Sequence, residues 1–247
     1  MKSLTSLVLL LSAIGLSPVY AQDAGCPDHT GGFGPFDYTD PAQRAQNLHI
    51  VESHHFTPQV ENLVQGATGT LGGDLDYTIR AFPNHHRALD ALSKLTVRLK
   101  MQRPPGVTCS IDGYFERAIR FKADDGMLRM IYGLHFYRWK KIDKAKEQFD
   151  MAGKLSPNDA NVAYNLGLIY ADLHEWDKAS AFAQTAYGAG FELPGLKNKL
   201  VKAGKWKEPP PKPAEPADSI KKDNALPADA QTTPAKTSDV VPSEVKQ

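Results

Sequence analysis

Two pairs of adjacent histidines are the side chains of this sequence best suited to metal binding or acid–base chemistry. His54-His55 stands in Glu-Ser-His-His-Phe-Thr-Pro, and His85-His86 stands in Phe-Pro-Asn-His-His-Arg-Ala. Imidazole ligates zinc, copper and iron well, so one histidine from each pair could share an ion. Neighbouring positions on a helix point about 100° apart, so neither pair chelates an ion by itself.

The spacing of the histidines favours a structural role over a metal site. No His-x-x-x-His pattern, which would place two imidazoles on one helix face, occurs in the chain. We therefore predict structural or surface histidines and no cofactor, with a metal-binding or metal-handling protein as the alternative. On this interpretation, replacing His85 by Asn and His86 by Glu changes the stability by no more than roughly 1 kcal/mol.

Motifs of hydrolytic or phosphate-transfer enzymes are absent from the sequence. There is no Gly-x-Ser-x-Gly stretch, and the glycine-rich residues 69–73 lack the lysine and the preceding strand of a phosphate-binding loop. We predict a flexible turn there and a protein without catalytic residues. The alternative is an enzyme that uses its helices to recruit a substrate.

Both ends of the chain differ in composition from its middle. Lys2 precedes a short apolar run at residues 7–16, and Val-Tyr-Ala ends at Ala21. Residues 1–21 are therefore predicted to be a secretory signal peptide, too short to remain as a membrane span. Residues 207–247 are rich in Pro, Ala and Lys, have no aromatic residue, and are predicted to be disordered.

The charge balance and the cysteines limit the partners and the compartment. The formal net charge is +1 and no block of like charges is identified, so neither nucleic acid nor an anionic membrane surface is an implied partner. Cys26 and Cys109 are the two cysteines, and in an exported protein they are expected to form a disulfide. Two free thiols, or a lipid on Cys26, are the alternatives. Closing this long loop stabilises the fold by roughly 4 kcal/mol on the chain-entropy model.

An internal repeat organises the second half of the chain. Residues 126–159 and 160–193 align as two adjoining blocks of equal length. Small residues coincide at Gly133/Gly167 and Ala145/Ala179, and large ones at Phe136/Tyr170. Turn signals fall within each block at Lys140-Lys141 and His174-Glu175.

This period and its ladder of small and large residues resemble the tetratricopeptide repeat (TPR). The resemblance implies an all-α fold, a solenoid of helical hairpins in which two helices of a hairpin approach at the small positions. Extended backwards, it predicts degenerate TPR-like helices at residues 71–125, with helices at 74–82, 86–100 and 114–125 and an inserted loop at 103–110. Pro83-Asn84-His85 is then a turn between helices. A capping helix is predicted at 194–206.

Residues 22–70 are predicted to be an irregular and partly helical segment. Asp40-Pro41 and Thr57-Pro58 are helix starts, giving helices at 41–56 and 58–65 with Gly66 as a C-terminal cap. Residues 30–39 contain three aromatic side chains between glycines. They are expected either to fill the concave face of the repeats or to cover the edge of the first helix pair.

The TPR resemblance implies that the first helix of each hairpin lines a partner-binding groove. Asn165 resembles the asparagine of TPR proteins that clamp a carboxylate, but no lysine accompanies it. We expect a periplasmic scaffold or adaptor of a Gram-negative bacterium that binds a protein or an extended peptide in cell-envelope assembly. Alternatively, the N-terminal segment covers the groove. The predicted groove residues are Met127, Met130, Leu134, Tyr137, Arg138, Asn161, Tyr164, Asn165, Leu168 and Asp172.

Overall fold

The computed structural model describes residues 25–28 and 31–209. These residues form α-helices and no β-strand, which confirms the predicted all-α class. The predicted signal peptide and most of the predicted disordered tail lie outside the described residues. In chain order the described helices are α1 Pro41–His55, α2 Pro58–Glu61, α3 Leu71–Ala81, α4 His86–Leu99, α5 Ile111–Phe121, α6 Gly126–Arg138, α7 Ile142–Leu155, α8 Ala160–Asp172, α9 Trp176–Gly188 and α10 Gly195–Lys202.

The chain divides into two units, residues 1–156 and residues 157–247. Helices α1 to α7 belong to the first unit, and α8 to α10 belong to the second. None of the helices within the described ranges has the length and apolar character needed to cross a bilayer.

Helix α1 begins where the sequence predicts, because its cap is local. The Asp40 carboxylate accepts the backbone N–H groups of Ala42 and Gln43 at 2.8 and 3.2 Å, and Pro41 occupies the first turn. The predicted end of the next helix at residue 65 is wrong. Helix α2 stops at Glu61, because Leu63 adopts a left-handed backbone conformation with φ of 57°.

The glycine-rich residues 69–73 do not form the predicted flexible turn. They begin α3, whose cap is the Thr70 hydroxyl accepting the N–H of Gly73 at 3.0 Å. A Cβ atom added to Gly72 would lie 2.2 Å from the carbonyl oxygen of Pro105. The glycine is therefore needed for close packing of α3 against the loop that joins α4 to α5.

Helices α6–α7 and α8–α9 are two hairpins built to one register. Their first helices begin at Gly126 and Ala160, and their second helices begin at Ile142 and Trp176, so both helices recur at the same offset along the chain. Both hairpin turns carry a left-handed residue, Lys140 with φ of 60° and His174 with φ of 58°. In each turn the next N–H bonds a carbonyl five residues back at 2.9 Å. The hairpins and their turns predicted from the repeat are confirmed.

The small residues of the repeat have different neighbours in the two hairpins. A Cβ atom on Gly133 would lie 2.4 Å from the Phe149 ring, so this glycine permits α6 to approach α7 as predicted. A Cβ atom on Gly167 would meet Leu196 of α10 instead. The three nearest atoms to that position all belong to Leu196, so the nearest neighbour at Gly167 is α10 and not the second helix of the hairpin.

The aromatic N-terminal segment covers the end of α3. The Phe36 N–H donates to the carbonyl oxygen of Ala81 at 2.9 Å. The rings of Phe36 and Tyr38 pack on Phe82, with centroid distances of 5.3 and 6.4 Å. Val51 of α1 completes this small buried cluster. The segment thus packs on the end of α3 and on α1.

A disulfide fastens residues 25–28 to the loop that precedes α5. The sulfur atoms of Cys26 and Cys109 lie 2.12 Å apart, as the sequence predicts. Cys26 is buried beside Gly113 of α5, and its carbonyl oxygen accepts a hydrogen bond from Arg120 at 2.8 Å. Residues 25–28 are therefore held both by a covalent bond and by α5.

Helix α10 closes the second unit. Leu196 and Leu200 are its fully buried side chains, and they pack against the helices of the preceding hairpin. The predicted capping helix therefore exists but ends at Lys202 rather than near residue 206. The chain then continues beside α9, where Trp206 meets the Tyr187 ring edge-on at 5.2 Å.

Candidate functional site

His85 is the N-terminal cap of α4. Its Nδ1 atom accepts the N–H of Ala88 at 3.1 Å, so the proton of the neutral ring resides on Nε2. That Nε2 atom donates to Glu52 of α1 at 3.1 Å. Burial lowers the pKa of His85, against the opposing effect of Glu52. The imidazole is thus neutral with its proton on Nε2, and both of its nitrogen atoms are used in hydrogen bonds within the fold.

The remainder of the Pro-Asn-His-His turn joins three parts of the first unit. The Asn84 amide donates to Asp37 at 2.8 Å and to Asp125 at 3.3 Å, and its oxygen accepts the N–H of Tyr38. His86 Nε2 lies 2.8 Å from Asp125, which is also the N-terminal cap of α6. The turn therefore connects the N-terminal segment, α4 and the start of α6.

The first histidine pair is not assembled with the second into a site. His55 Nδ1 lies 3.0 Å from Asp74, and its ring stacks on Tyr77 at 3.8 Å. His54 is exposed and contacts the carbonyl of Ile50. No group of three His, Cys, Asp or Glu residues within the described ranges is arranged to hold a metal ion. Each histidine instead has its own local partner.

The groove position Arg138 is engaged by another helix. Its guanidinium donates to Asp90 at 2.6 Å and to the Ser93 hydroxyl at 2.9 Å, both on α4. Burial raises the pKa of Asp90, but the charges of Arg138 and Lys94 outweigh this effect and lower it. The guanidinium is therefore part of the α4–α6 packing.

The other predicted groove residues of α6 separate into buried and accessible side chains. Met130 is only 2% exposed, so it belongs to the core. Met127, Leu134 and Tyr137 are partly exposed. We name these three residues the α6 face, which is an apolar surface with one phenol group.

In the second unit, Tyr164 is likewise a core residue. It is 3% exposed, stacks on Phe191 at 4.4 Å, and meets Tyr187 at 6.3 Å. Its hydroxyl also lies next to Gly195, where an added Cβ atom would approach it to 2.7 Å. Tyr164 therefore joins α8 to the segment that leads into α10.

The remaining predicted groove residues of α8 are three polar side chains and one leucine. The Asn165 amide donates to the backbone and side-chain oxygens of Asn161, each at 2.9 Å. Asp172 is exposed and forms an ion pair with Lys199 of α10. Asn161, Asn165 and Leu168 are partly exposed. We name these three residues the α8 face.

Ser93, His135 and Asp112 are neighbours in the first unit that were not predicted from the sequence; Ser93 and His135 are buried, and Asp112 is partly exposed. The Ser93 hydroxyl accepts from Arg138 at 2.9 Å and lies 3.1 Å from His135 Nδ1. His135 Nε2 lies 3.6 Å from Asp112. Burial lowers the pKa of His135 to about 3, and the charge of Arg138 adds to this effect.

These residue types are those of a hydrolase triad, but their placement is not. The side chains of Ser93 and His135 are both fully buried, so no substrate reaches the hydroxyl. A catalytic serine gives its proton to a base while it attacks an accessible carbonyl. The hydrogen bonds of Ser93 instead link α4 to α6, and His135 Nε2 has no hydrogen-bond partner within the described residues. Ser93 and His135 are 42 positions apart in the chain, and no sequence motif marks them.

An open cleft of about 520 Å³ lies between α5, α6 and α7. Arg129 donates to Gln148 across it at 3.2 Å, and the Lys144 ammonium lies 5.6 Å from the centre of the Phe136 ring. Both charge signs are present, so the cleft favours neither an anionic nor a cationic ligand. Its charged side chains are Glu116, Arg120, Arg129, Lys144 and Glu147.

Comparison with protein-family models finds none that matches this chain. Comparison with curated proteins likewise finds no significant match. The function is therefore argued from the hairpins, the disulfide and the α6 and α8 faces.

Proposed function

We propose that this protein is a non-enzymatic scaffold or adaptor of the TPR type, which binds a protein partner or an extended peptide through its α6 and α8 faces. The observation that carries the proposal is the common register of the α6–α7 and α8–α9 hairpins. Corresponding helices begin at one constant offset along the chain, and the two turns share one backbone conformation. In TPR proteins a repeated hairpin presents side chains of its first helix to ligands.

The chemistry of the two faces fits recognition of a polypeptide. Leu134 and Met127 offer adaptable apolar contact, and Tyr137 adds an aromatic ring with a polar end. On α8 the Asn161–Asn165 pair offers amide groups for a peptide backbone next to the apolar Leu168. Such a mixture of aromatic, aliphatic and amide groups is typical of polypeptide binding surfaces.

The same proposal places the protein outside the cytoplasm, in the periplasm of a Gram-negative bacterium. Two features support export: the signal-peptide pattern of residues 1–21 and the Cys26–Cys109 disulfide. Disulfides persist in oxidising compartments and are rare in the cytosol. A role in cell-envelope assembly follows from this location together with the scaffold fold.

The test is quantitative affinity capture from the native cell envelope with the Tyr137→Ala/Asn165→Ala variant. The matched control is Phe121→Ala/Asn47→Ala, because Phe121 is an exposed aromatic residue and Asn47 also donates to the carbonyl four residues before it. We expect one or more partners to be retained by the wild type and the control but lost by the variant. Circular dichroism confirms that all three proteins are folded.

Two outcomes contradict the proposal. One is an envelope eluate in which no protein is enriched over a blank resin. The other is a partner that the Tyr137→Ala/Asn165→Ala variant retains as well as the wild type does. In that case the α6 and α8 faces do not form the binding surface.

A further inference from the structure

The end of the second unit carries a concentration of positive charge. Residues 197–207 include five lysines and no acidic residue. All five lysine side chains are exposed. The expectation that the chain has no block of like charges is therefore wrong at this place. The near-zero net charge of the whole chain concealed a local excess of lysine.

Within the described part of the chain, Lys199 is the one lysine of this group that forms an ion pair. Lys199 forms an ion pair with Asp172, and Lys197 lies over the Trp206 ring at 4.9 Å. Within residues 25–28 and 31–209, no ion pair involves Lys202 or Lys205. The side chains of both lysines are exposed, whereas Leu196 and Leu200 form the buried side of α10.

Exposed apolar side chains accompany these lysines. Val201 lies on the solvent side of α10 and is 55% exposed, and Leu193, just before the helix, is 45% exposed. Trp206 is partly exposed, and its indole N–H is directed to Glu208. We name Leu193, Val201, Trp206 and the five lysines the basic C-terminal surface.

We propose that the basic C-terminal surface binds the face of a membrane that contains anionic phospholipid. Lysines interspersed with exposed aliphatic and tryptophan side chains are typical of segments that lie in the headgroup region. The lysine ammonium groups contact lipid phosphates, while Val201 and Leu193 enter the boundary of the acyl chains. An acidic protein as partner accounts for the lysines but gives no role to the two exposed aliphatic side chains.

This inference goes beyond the proposed function and does not depend on it. The α6 and α8 faces recognise a polypeptide, whereas the basic C-terminal surface determines where the protein resides.

The strength of binding is set by the lysine count and by salt. Each basic residue near an anionic surface raises the binding constant about fivefold. Removing two lysines is therefore expected to weaken binding about 25-fold. Electrostatic attraction also declines between ionic strengths of about 0.1 M and 1 M, because the Debye length shortens from about 10 Å to about 3 Å.

The experiment is co-sedimentation of the exported full chain with lipid vesicles. One vesicle type contains phosphatidylcholine alone, and the other contains equal parts of phosphatidylcholine and phosphatidylglycerol. The test variants are Lys202→Gln/Lys205→Gln and, separately, Val201→Ser. The matched control for lost charge is Lys100→Gln/Lys154→Gln, since both of these lysines are exposed on the other unit.

We expect the wild type and the control to bind the anionic vesicles and not the phosphatidylcholine vesicles. The lysine variant loses about 25-fold in affinity, and Val201→Ser also binds more weakly. Because the side chains of Val201, Lys202 and Lys205 are exposed, we expect the variants to melt at the same temperature as the wild type. Equal melting curves then show that the variants are folded.

Three results overturn the proposal. The wild type binds neither vesicle type at low salt, it binds both equally, or the lysine variant matches the control. A polyglutamate peptide tests the rival class of partner. If the wild type binds that peptide but no vesicle, the basic C-terminal surface is a docking site for an acidic protein.

Discussion

Asp90 of α4 and Arg138 of α6 form an ion pair, with 2.6 Å between Oδ1 and Nη2. Their side chains are only 20% and 17% exposed, and the same guanidinium also bonds Ser93. The pair therefore joins two helices that are not consecutive in the chain. Arg138 is thereby assigned to helix packing rather than to ligand binding.

The first prediction concerns this ion pair. Arg138→Met leaves the Asp90 carboxylate without its main partner in a mostly buried place, which we expect to cost about 1–3 kcal/mol of unfolding free energy. Urea denaturation measures this change. A double-mutant cycle with Asp90→Asn should show coupling. An Arg138→Met protein as stable as the wild type contradicts the assignment.

The second prediction concerns the two repeat glycines. Gly133→Ala forces a methyl group against the buried Phe149 ring and within 3.1 Å of the Ala145 carbonyl oxygen, which we expect to cost about 1–3 kcal/mol. Gly167→Ala meets the end of the flexible Leu196 side chain, so its cost is smaller. Thermal melting of both variants tests whether Gly133→Ala lowers the stability more than Gly167→Ala does. The opposite order would mean that α10 restricts α8 more than α7 restricts α6.

The third prediction revises the expectation for the histidine turn. His85 lies between the rings of Tyr38 and Phe56, at 4.4 and 4.9 Å, and is fully buried. His85→Asn keeps a cap for α4 but loses this packing and the bond to Glu52. We therefore expect a loss of about 2–3 kcal/mol rather than less than 1 kcal/mol.

The other substitution in this turn, His86→Glu, is unfavourable for a different reason. His86→Glu places a carboxylate next to Asp125, where the imidazole stood at 2.8 Å. Like charges repel at this distance, so the variant should be less stable than the wild type at neutral pH, and by a smaller margin at mildly acidic pH. His54→Gln, at an exposed position, is the control and should leave stability unchanged. Denaturant titration measures the stability of each variant. If His85→Asn and His86→Glu are both as stable as His54→Gln, the hydrogen bonds described for this turn do not stabilise the fold.

The fourth prediction concerns acid stability. Burial holds the pKa of His135 at about 3 in the folded protein, against about 6.5 in an unfolded chain. Below about pH 6.5 the unfolded chain gains a proton that the folded protein does not, so stability present at neutral pH is lost as the pH falls toward about 3. His85, whose pKa is also lowered by burial, acts in the same direction.

The measurement is the unfolding free energy between about pH 6 and pH 4. For each such histidine the expected slope is up to about 1.4 kcal/mol per pH unit. His135→Gln should reduce the total slope by this amount. An unchanged slope in His135→Gln would indicate that this imidazole is protonated in the folded protein.

Local signals made much of the fold predictable from the sequence. Asp40, Asp125 and Asp159 cap helices through bonds to amides two or three residues away, so their effect is visible within a few positions. The hairpin turns at Lys140 and His174 were identified because the same pattern occurs twice. The disulfide was predictable because the chain has two cysteines.

Contacts between distant helices were the part that sequence reasoning missed. Arg138 lies 48 residues from Asp90, and His135 lies 42 residues from Ser93. Which face of α6 meets α4 depends on the rotation of one helix against the other, and one sequence does not specify that angle. The same uncertainty placed Met130 and Tyr164 in the predicted groove, although both are core residues. The basic segment at 197–207, by contrast, was visible in the sequence.

The Cys26–Cys109 bond makes the covalent structure of the chain a closed ring with a long branch. The ring contains α1 to α4, while α5 to α10 lie on the branch. One peptide-bond cleavage inside the ring leaves both products joined until the bridge is reduced. One cleavage beyond residue 109 releases the downstream product as soon as the protein unfolds. While the bridge is intact, a single cut can therefore remove helices from the branch, which carries both hairpins. The first four helices stay covalently attached to the protein.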